Sequence, residues 1–129
     1  NWVKRGATAL WENFLPDRVN SMNHHFWGDI SAWFIKRVAG IILNPTAKDI
    51  GEVEIHPTFI TALGHAKAYH IAPAGKVSVA WERVGKTISL CVEIPDGMRA
   101  TAVLDDGYVF EDGAGSREIV SGVYTISRK

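Results

Sequence analysis

A glutamate among aromatic residues and a pair of neighbouring histidines are the side chains in this sequence whose types could do chemistry. Glu12 stands in the run GATALWENF, between Trp11 and Phe14 and close to Gly6 and Arg5. A carboxylate among aromatic rings is costly to bury unless it is hydrogen-bonded or its pKa is raised. That setting suits carboxylate chemistry on a sugar, because an aromatic wall stacks on pyranose faces. The same residues also fit a surface glutamate on an amphipathic turn. Asn23, His24 and His25 form a second polar group. Adjacent positions on a helix project about 100° apart, so the two histidines do not chelate as an i, i+4 pair can. Either could hydrogen-bond a ligand hydroxyl, and either fits a satisfied core or surface histidine equally well. His56, His65 and His70 are scattered, and Cys91 is the single cysteine. No metal-ligand spacing results, and neither a metal nor another cofactor is expected. The Gly113-Ala114-Gly115-Ser116 stretch lacks the Gly-Lys-Ser/Thr of a phosphate loop and reads as a turn, and no serine sits in a nucleophile elbow.

The elements that must carry these residues change character near residue 44. Four of the five tryptophans lie in the first 33 residues. Between 21 and 43, Phe26, Trp27, Ile30, Trp33, Phe34, Val38 and Ile41 recur at helical spacing, which predicts one long helix with Ser21 as N-cap and Gly40 and Asn44-Pro45 as the stop. A shorter helical piece is expected from Thr8 to Leu15, ended by Pro16. So aromatic a helix normally has neighbours on both sides. An oligomer interface or packing onto the C-terminal half would satisfy it.

From Gly51 the hydrophobic period drops to two. Val77, Val79, Trp81 and Arg83 share one face of a strand over 76–84, and Ile88, Leu90, Val92 and Ile94 point inward from the next strand over 87–94. Turn signals at 84–86, 95–97, 105–107 and 113–116 separate seven or eight short strands, including 65–72, 99–104, 108–110 and 123–127. The pattern predicts a mainly β fold, an antiparallel β-sandwich preceded by one or two helices. The junction runs from Asn44 to about Asp49.

Composition narrows the function classes. The 129 residues are 47% hydrophobic and 22% charged, which argues against disorder and fits one domain or the tail of a larger protein. Fourteen Lys plus Arg balance fourteen Asp plus Glu. Neither nucleic acid nor an anionic membrane is therefore an expected partner. No apolar run approaches the length of a membrane span. The chain begins with Asn rather than Met, without a signal-peptide pattern, and is expected to be a piece of a longer protein. A single cysteine leaves the compartment unassigned.

Two motifs together carry a family resemblance. RGATALWENF (5–14) followed by SMNHHFWGDISAWFIKRVAGI (21–41) resembles the closing stretch of the catalytic (α/α)6 barrel of bacterial α-L-rhamnosidases of the glycoside hydrolase 78 type. EVEIHPTF (52–59) and residues 66–104 resemble the β-sandwich that follows it, so the likeness spans nearly the whole chain. The resemblance implies that residues 1–44 are the last helical segment of the barrel and residues 50–129 the C-terminal sandwich. It also implies an inverting glycosidase acting on α-L-rhamnosides, with two carboxyl groups about 6.5–9.5 Å apart, one protonating the leaving oxygen and the other activating water. By this resemblance Glu12 is the general base and His24 a sugar contact, with Trp11 and Asn23 shaping the same wall. The family's general acid lies earlier in the barrel, outside these residues. The family often has Tyr after that histidine, where this chain has His25 and then Phe26-Trp27.

The resemblance makes the upstream barrel and an α-L-rhamnoside the expected partners, with an oligomer possible. The chain alone is expected to be inert, because a base without its acid partner cannot protonate the leaving group. The competing reading is a non-catalytic β-sandwich module that stabilises a barrel or binds carbohydrate.

Overall fold

The computed structural model of the chain describes residues 2–13, 21–43 and 51–129, and for Phe26 and Trp27 the backbone alone. The chain divides into two compact units, one ending at Trp33 and the other starting at Phe34.

In the second unit the described residues form two sheets. The strands are β1 (Ile41–Ile42), β2 (Glu52–Ile55), β3 (His65–Ala72), β4 (Gly75–Val84), β5 (Thr87–Glu93), β6 (Arg99–Val103), β7 (Tyr108–Phe110), β8 (Ser116–Ile119) and β9 (Gly122–Arg128). One sheet runs β1-β2-β6-β8 and the other β3-β4-β5-β9-β7. The β4–β5 hairpin closes on Gly85-Lys86 with Val84 opposite Thr87, and Gly85 takes the positive φ (62°) such a short loop requires. The predicted face of β4 is buried at Val77, Val79 and Trp81, as are Ile88, Leu90 and Val92 of β5. They meet Val53, Ile55, Ala100, Ala102 and Ile119 of the other sheet in one core. The fold is the expected mainly β sandwich.

Three features depart from the sequence reading. The pairing of β2 with β6 is parallel, because the chain builds β3 to β5 in the other sheet before returning beside β2. The expected single helix over 21–43 is instead a 3-10 turn (His25–Gly28), a short α-helix, α1 (Asp29–Trp33), and a π-helical turn (Phe34–Ala39). Ser21 caps none of them: its carbonyl accepts the Glu12 N–H at 2.8 Å. Finally, residues 8–13 are not helical; the helical turn lies earlier, at Val3–Arg5. Here the Leu10 carbonyl and the Glu12 N–H are engaged by His24 and Ser21 rather than by helical neighbours. Phe14 to Pro16, Asn44-Pro45 and the 44–49 junction lie outside the described residues.

The helical run stops because the sandwich takes its last carbonyls. Trp81 Nε1 donates to the Val38 carbonyl at 2.8 Å, Thr58 N–H to Arg37 O at 3.0 Å and His56 N–H to Gly40 O at 2.8 Å. Those carbonyls have no acceptor role left inside a helix that ends there. Gly40 turns the chain at φ 83° into β1, which pairs with β2 through Ile41 and Ile55. The loop after β2 is held by Arg83, whose guanidinium donates to the carbonyls of Phe59 (2.8 Å) and Leu63 (3.1 Å). Phe59 meets Trp81 edge-on at 5.5 Å. The apolar stripe of the helical run is partly open in this chain: Ile30, Trp33 and Phe34 are 51%, 49% and 51% exposed.

Candidate functional site

Glu12, Trp11, Asn23 and His24 all lie in the first unit. The backbone draws their two motifs together. Glu12 N–H donates to Ser21 O at 2.8 Å, and His24 N–H donates to Leu10 O at 2.7 Å. These bonds tie residues 10–12 alongside residues 21–24, so the segment carrying the carboxylate and the segment carrying the histidine share one frame. Glu12 and His24 are half-buried and Asn23 is exposed.

Each residue next to Glu12 has an anchor of its own. Trp11 is only 7% exposed, and the Arg5 guanidinium sits over its ring, 5.0 Å from the centroid. That is cation–π geometry. Asn13 O accepts the indole N–H of Trp2 at 2.9 Å. Trp2 and Arg5 bracket the Val3–Arg5 turn, which closes through Arg5 N–H and Ala7 N–H onto Trp2 O at 3.0 and 3.1 Å and reverses at Gly6, φ 75°. In the sequence Arg5 is near Glu12 by chain position only, and Trp2 carries no assigned role. An indole and a guanidinium on either side of a tight turn were the available signal.

His24 precedes the helical turn that begins at His25. The geometry expected of neighbours on a helix therefore does not apply: the two rings stack, with centroids 6.2 Å apart and planes at 29°. Among the described residues no group of three or more His, Cys, Asp or Glu side chains gathers as a metal site.

Several polar groups of the second unit have structural partners. His56 lies between Asp105 (3.0 Å) and Glu54 (3.4 Å). On β5 the Glu93 carboxyl is held below its usual range by a hydrogen bond from Ser78 and by the Lys76 ammonium. The Tyr108 phenol on β7 is lowered by its hydrogen bond with Arg128, against the opposing effect of burial. A hollow on the outer face of the four-stranded sheet is lined by Glu52, Val53, Glu54, Arg99, Thr101 and Glu118. It offers charge but no aromatic ring for a sugar face.

Comparison with known proteins places this architecture. The family model for the bacterial alpha-L-rhamnosidase C-terminal domain matches residues 43–115, more than half of the chain. An alpha-L-rhamnosidase from Formosa agariphila is 31% identical over 107 residues, which is 76% of this chain and 11% of that protein. One from Alteromonas sp. (strain LOR) is 28% identical over 102 residues, 79% of this chain and again 11% of the relative. The chain thus spans about a tenth of the curated relatives it matches. In fold it is similar to an alpha-L-rhamnosidase from Dictyoglumus thermophilum, with a TM-score of 0.72 at 22% identity over 99% of this chain and 17% of that one. It is also similar to the Streptomyces avermitilis alpha-L-rhamnosidase complexed with L-rhamnose, with a TM-score of 0.71 at 24% identity over 98% of this chain and 14% of the other.

Proposed function

The chain belongs to the bacterial alpha-L-rhamnosidase C-terminal domain family, and from that premise we propose that it is the C-terminal part of an inverting glycosidase releasing terminal non-reducing α-L-rhamnose from α-L-rhamnosides. In this reading residues 1–44 are the closing helical segment of an upstream (α/α)6 catalytic barrel, and residues 50–129 form the C-terminal sandwich.

Glu12 is the general base. It takes a proton from water as the water attacks the anomeric carbon from the face opposite the leaving oxygen. A carboxyl group elsewhere in the longer polypeptide protonates that oxygen. His24 donates or accepts a hydrogen bond at a sugar hydroxyl. Asn23 edges the same pocket, and Trp11, packed beneath Arg5, backs its wall.

The observation that carries this reading is the pair of backbone bonds, Glu12 to Ser21 and His24 to Leu10, which hold base and sugar contact on adjoining strands of chain. A base needs such fixed placement, since a displacement of about 1 Å costs roughly a hundredfold in rate.

The test is hydrolysis by the full-length reading frame that contains this chain. It should release L-rhamnose from an aryl α-L-rhamnoside and leave the matching aryl β-D-glucoside and α-L-arabinofuranoside intact. The 129-residue chain alone should release none. A folded full-length protein inactive on every rhamnoside tried would defeat the substrate assignment.

A further inference from the structure

The turn at Trp2–Gly6 touches the segment 11–13 at both residues that flank Glu12, and nothing in the family assignment gives it a task. We propose that Trp2 and Arg5 are positioning residues for the Glu12 carboxylate, an inference that rests on Glu12 being the general base.

A carboxylate that must take a proton from one particular water has to be fixed in direction as well as in place. The peptide planes on either side of Glu12 set the direction of its Cα–Cβ bond, from which the carboxylate extends. On the preceding side Trp11 is buried and its ring is covered by the Arg5 guanidinium at 5.0 Å. On the following side the Asn13 carbonyl is held by the indole N–H of Trp2 at 2.9 Å. Between them the Glu12 N–H is fixed to Ser21 O at 2.8 Å. Three consecutive residues are therefore held by three different partners, and two of those partners come from one turn. That turn is itself closed by Arg5 N–H and Ala7 N–H bonding Trp2 O, so Trp2 and Arg5 cannot shift independently.

Loss of either anchor leaves the Glu12 carboxyl group chemically intact but poorly aimed at water. The defect should then be specific to the water-activation step, and a nucleophile that needs no base should bypass it. Azide is such a nucleophile. Its nitrogen lone pair forms the bond to the anomeric carbon on the face opposite the leaving oxygen. The C–O bond breaks, and the departing oxygen takes its proton from the general acid. Azide has no proton to give up, so Glu12 is not needed.

The experiment compares Trp2→Phe, Arg5→Met, Arg5→Lys and Glu12→Ala in the full-length protein, with and without sodium azide, on an aryl α-L-rhamnoside. Trp2→Phe and Arg5→Met should each lower kcat by about tenfold to a hundredfold with KM within about twofold. Azide should restore much of the lost turnover in Glu12→Ala, where the truncated side chain leaves room for the anion, with an inverted rhamnosyl azide as product. Adding Trp2→Phe or Arg5→Met to that rescued variant should cost little further turnover. Arg5→Lys, which keeps a cation over the Trp11 ring, should stay near the parent rate. The inference is overturned if Trp2→Phe and Arg5→Met both turn over normally, or if they lower the azide-rescued turnover of Glu12→Ala as much as they lower that of the parent. If Glu12→Ala is itself unimpaired, or impaired without azide response, the base assignment falls instead.

Discussion

Replacing Glu12 by Gln in the full-length protein should cut kcat on an aryl α-L-rhamnoside by about 10²–10⁴, the usual worth of a positioned general base. Glutamine keeps the shape of the side chain and can still hydrogen-bond, but it cannot take a proton from water. KM should change little, because a general base acts on water in the transition state rather than on the bound sugar. The backbone frame does not depend on the carboxylate: Glu12 enters it through its N–H, to Ser21 O. Circular dichroism of the variant should therefore match the parent. His24→Ala is the useful contrast, since loss of the proposed sugar contact should raise KM as well as lower kcat. An unimpaired Glu12→Gln enzyme would place the base elsewhere and leave the family membership untouched.

The second large effect is on stability. Gly40→Ala should destabilise the sandwich unit by about 3–5 kcal/mol, at the upper end of single substitutions. Gly40 has φ 83°, where an L side chain is strained, and the reason for glycine goes further than the backbone angle. A Cβ there would stand 2.2 Å from both His56 C and Pro57 N and 2.4 Å from His56 O. All three are main-chain atoms, so relief requires moving the chain rather than rotating a side chain. That movement would break His56 N–H to Gly40 O and disturb Pro57, which is fully buried. Gly115→Ala is the control: its backbone is unstrained and its Cβ would meet nothing within 4 Å, so the change should be under about 1 kcal/mol. Urea denaturation should show the Gly40→Ala midpoint lower by more than about 1 M. Equal midpoints for the two variants would mean that the close approach at Gly40 does not govern this turn.

The regular strands were readable from the chain because their burial repeats at the period of a strand. HAKAYHIA is β3 from end to end, and the inward set Val77, Val79, Trp81 needed nothing beyond alternation. What local pattern could not supply was the end of the helical run. The apolar spacing continues past Phe34 through Val38 and Ile41 without a break, while the stop is made by Thr58, His56 and Trp81, which reach Arg37, Gly40 and Val38 from strands and loops far along the chain. Ile41 and Ile42 extend the helical spacing and yet form β1, because β2 supplies a partner. The parallel β2–β6 pair is hidden for the same reason: its two strands are separated by the whole of β3 to β5.

The candidate site divides in a similar way. Glu12 and His24 stand out by residue type and by the motifs around them. Their common frame does not, since Leu10–His24 and Glu12–Ser21 are backbone contacts that no side-chain pattern announces. Trp2 reads from sequence as one more apolar residue, and only its indole N–H on Asn13 O reveals a task.

The central claim is that Glu12 activates water in an inverting hydrolysis of α-L-rhamnosides. Proton NMR of the first turnovers of the full-length protein tests it most directly, with the anomeric signals followed before mutarotation mixes them. The account predicts that β-L-rhamnose appears first and the α anomer only later. Initial release of α-L-rhamnose would contradict it, because retention requires a carboxylate that attacks the sugar rather than one that deprotonates water.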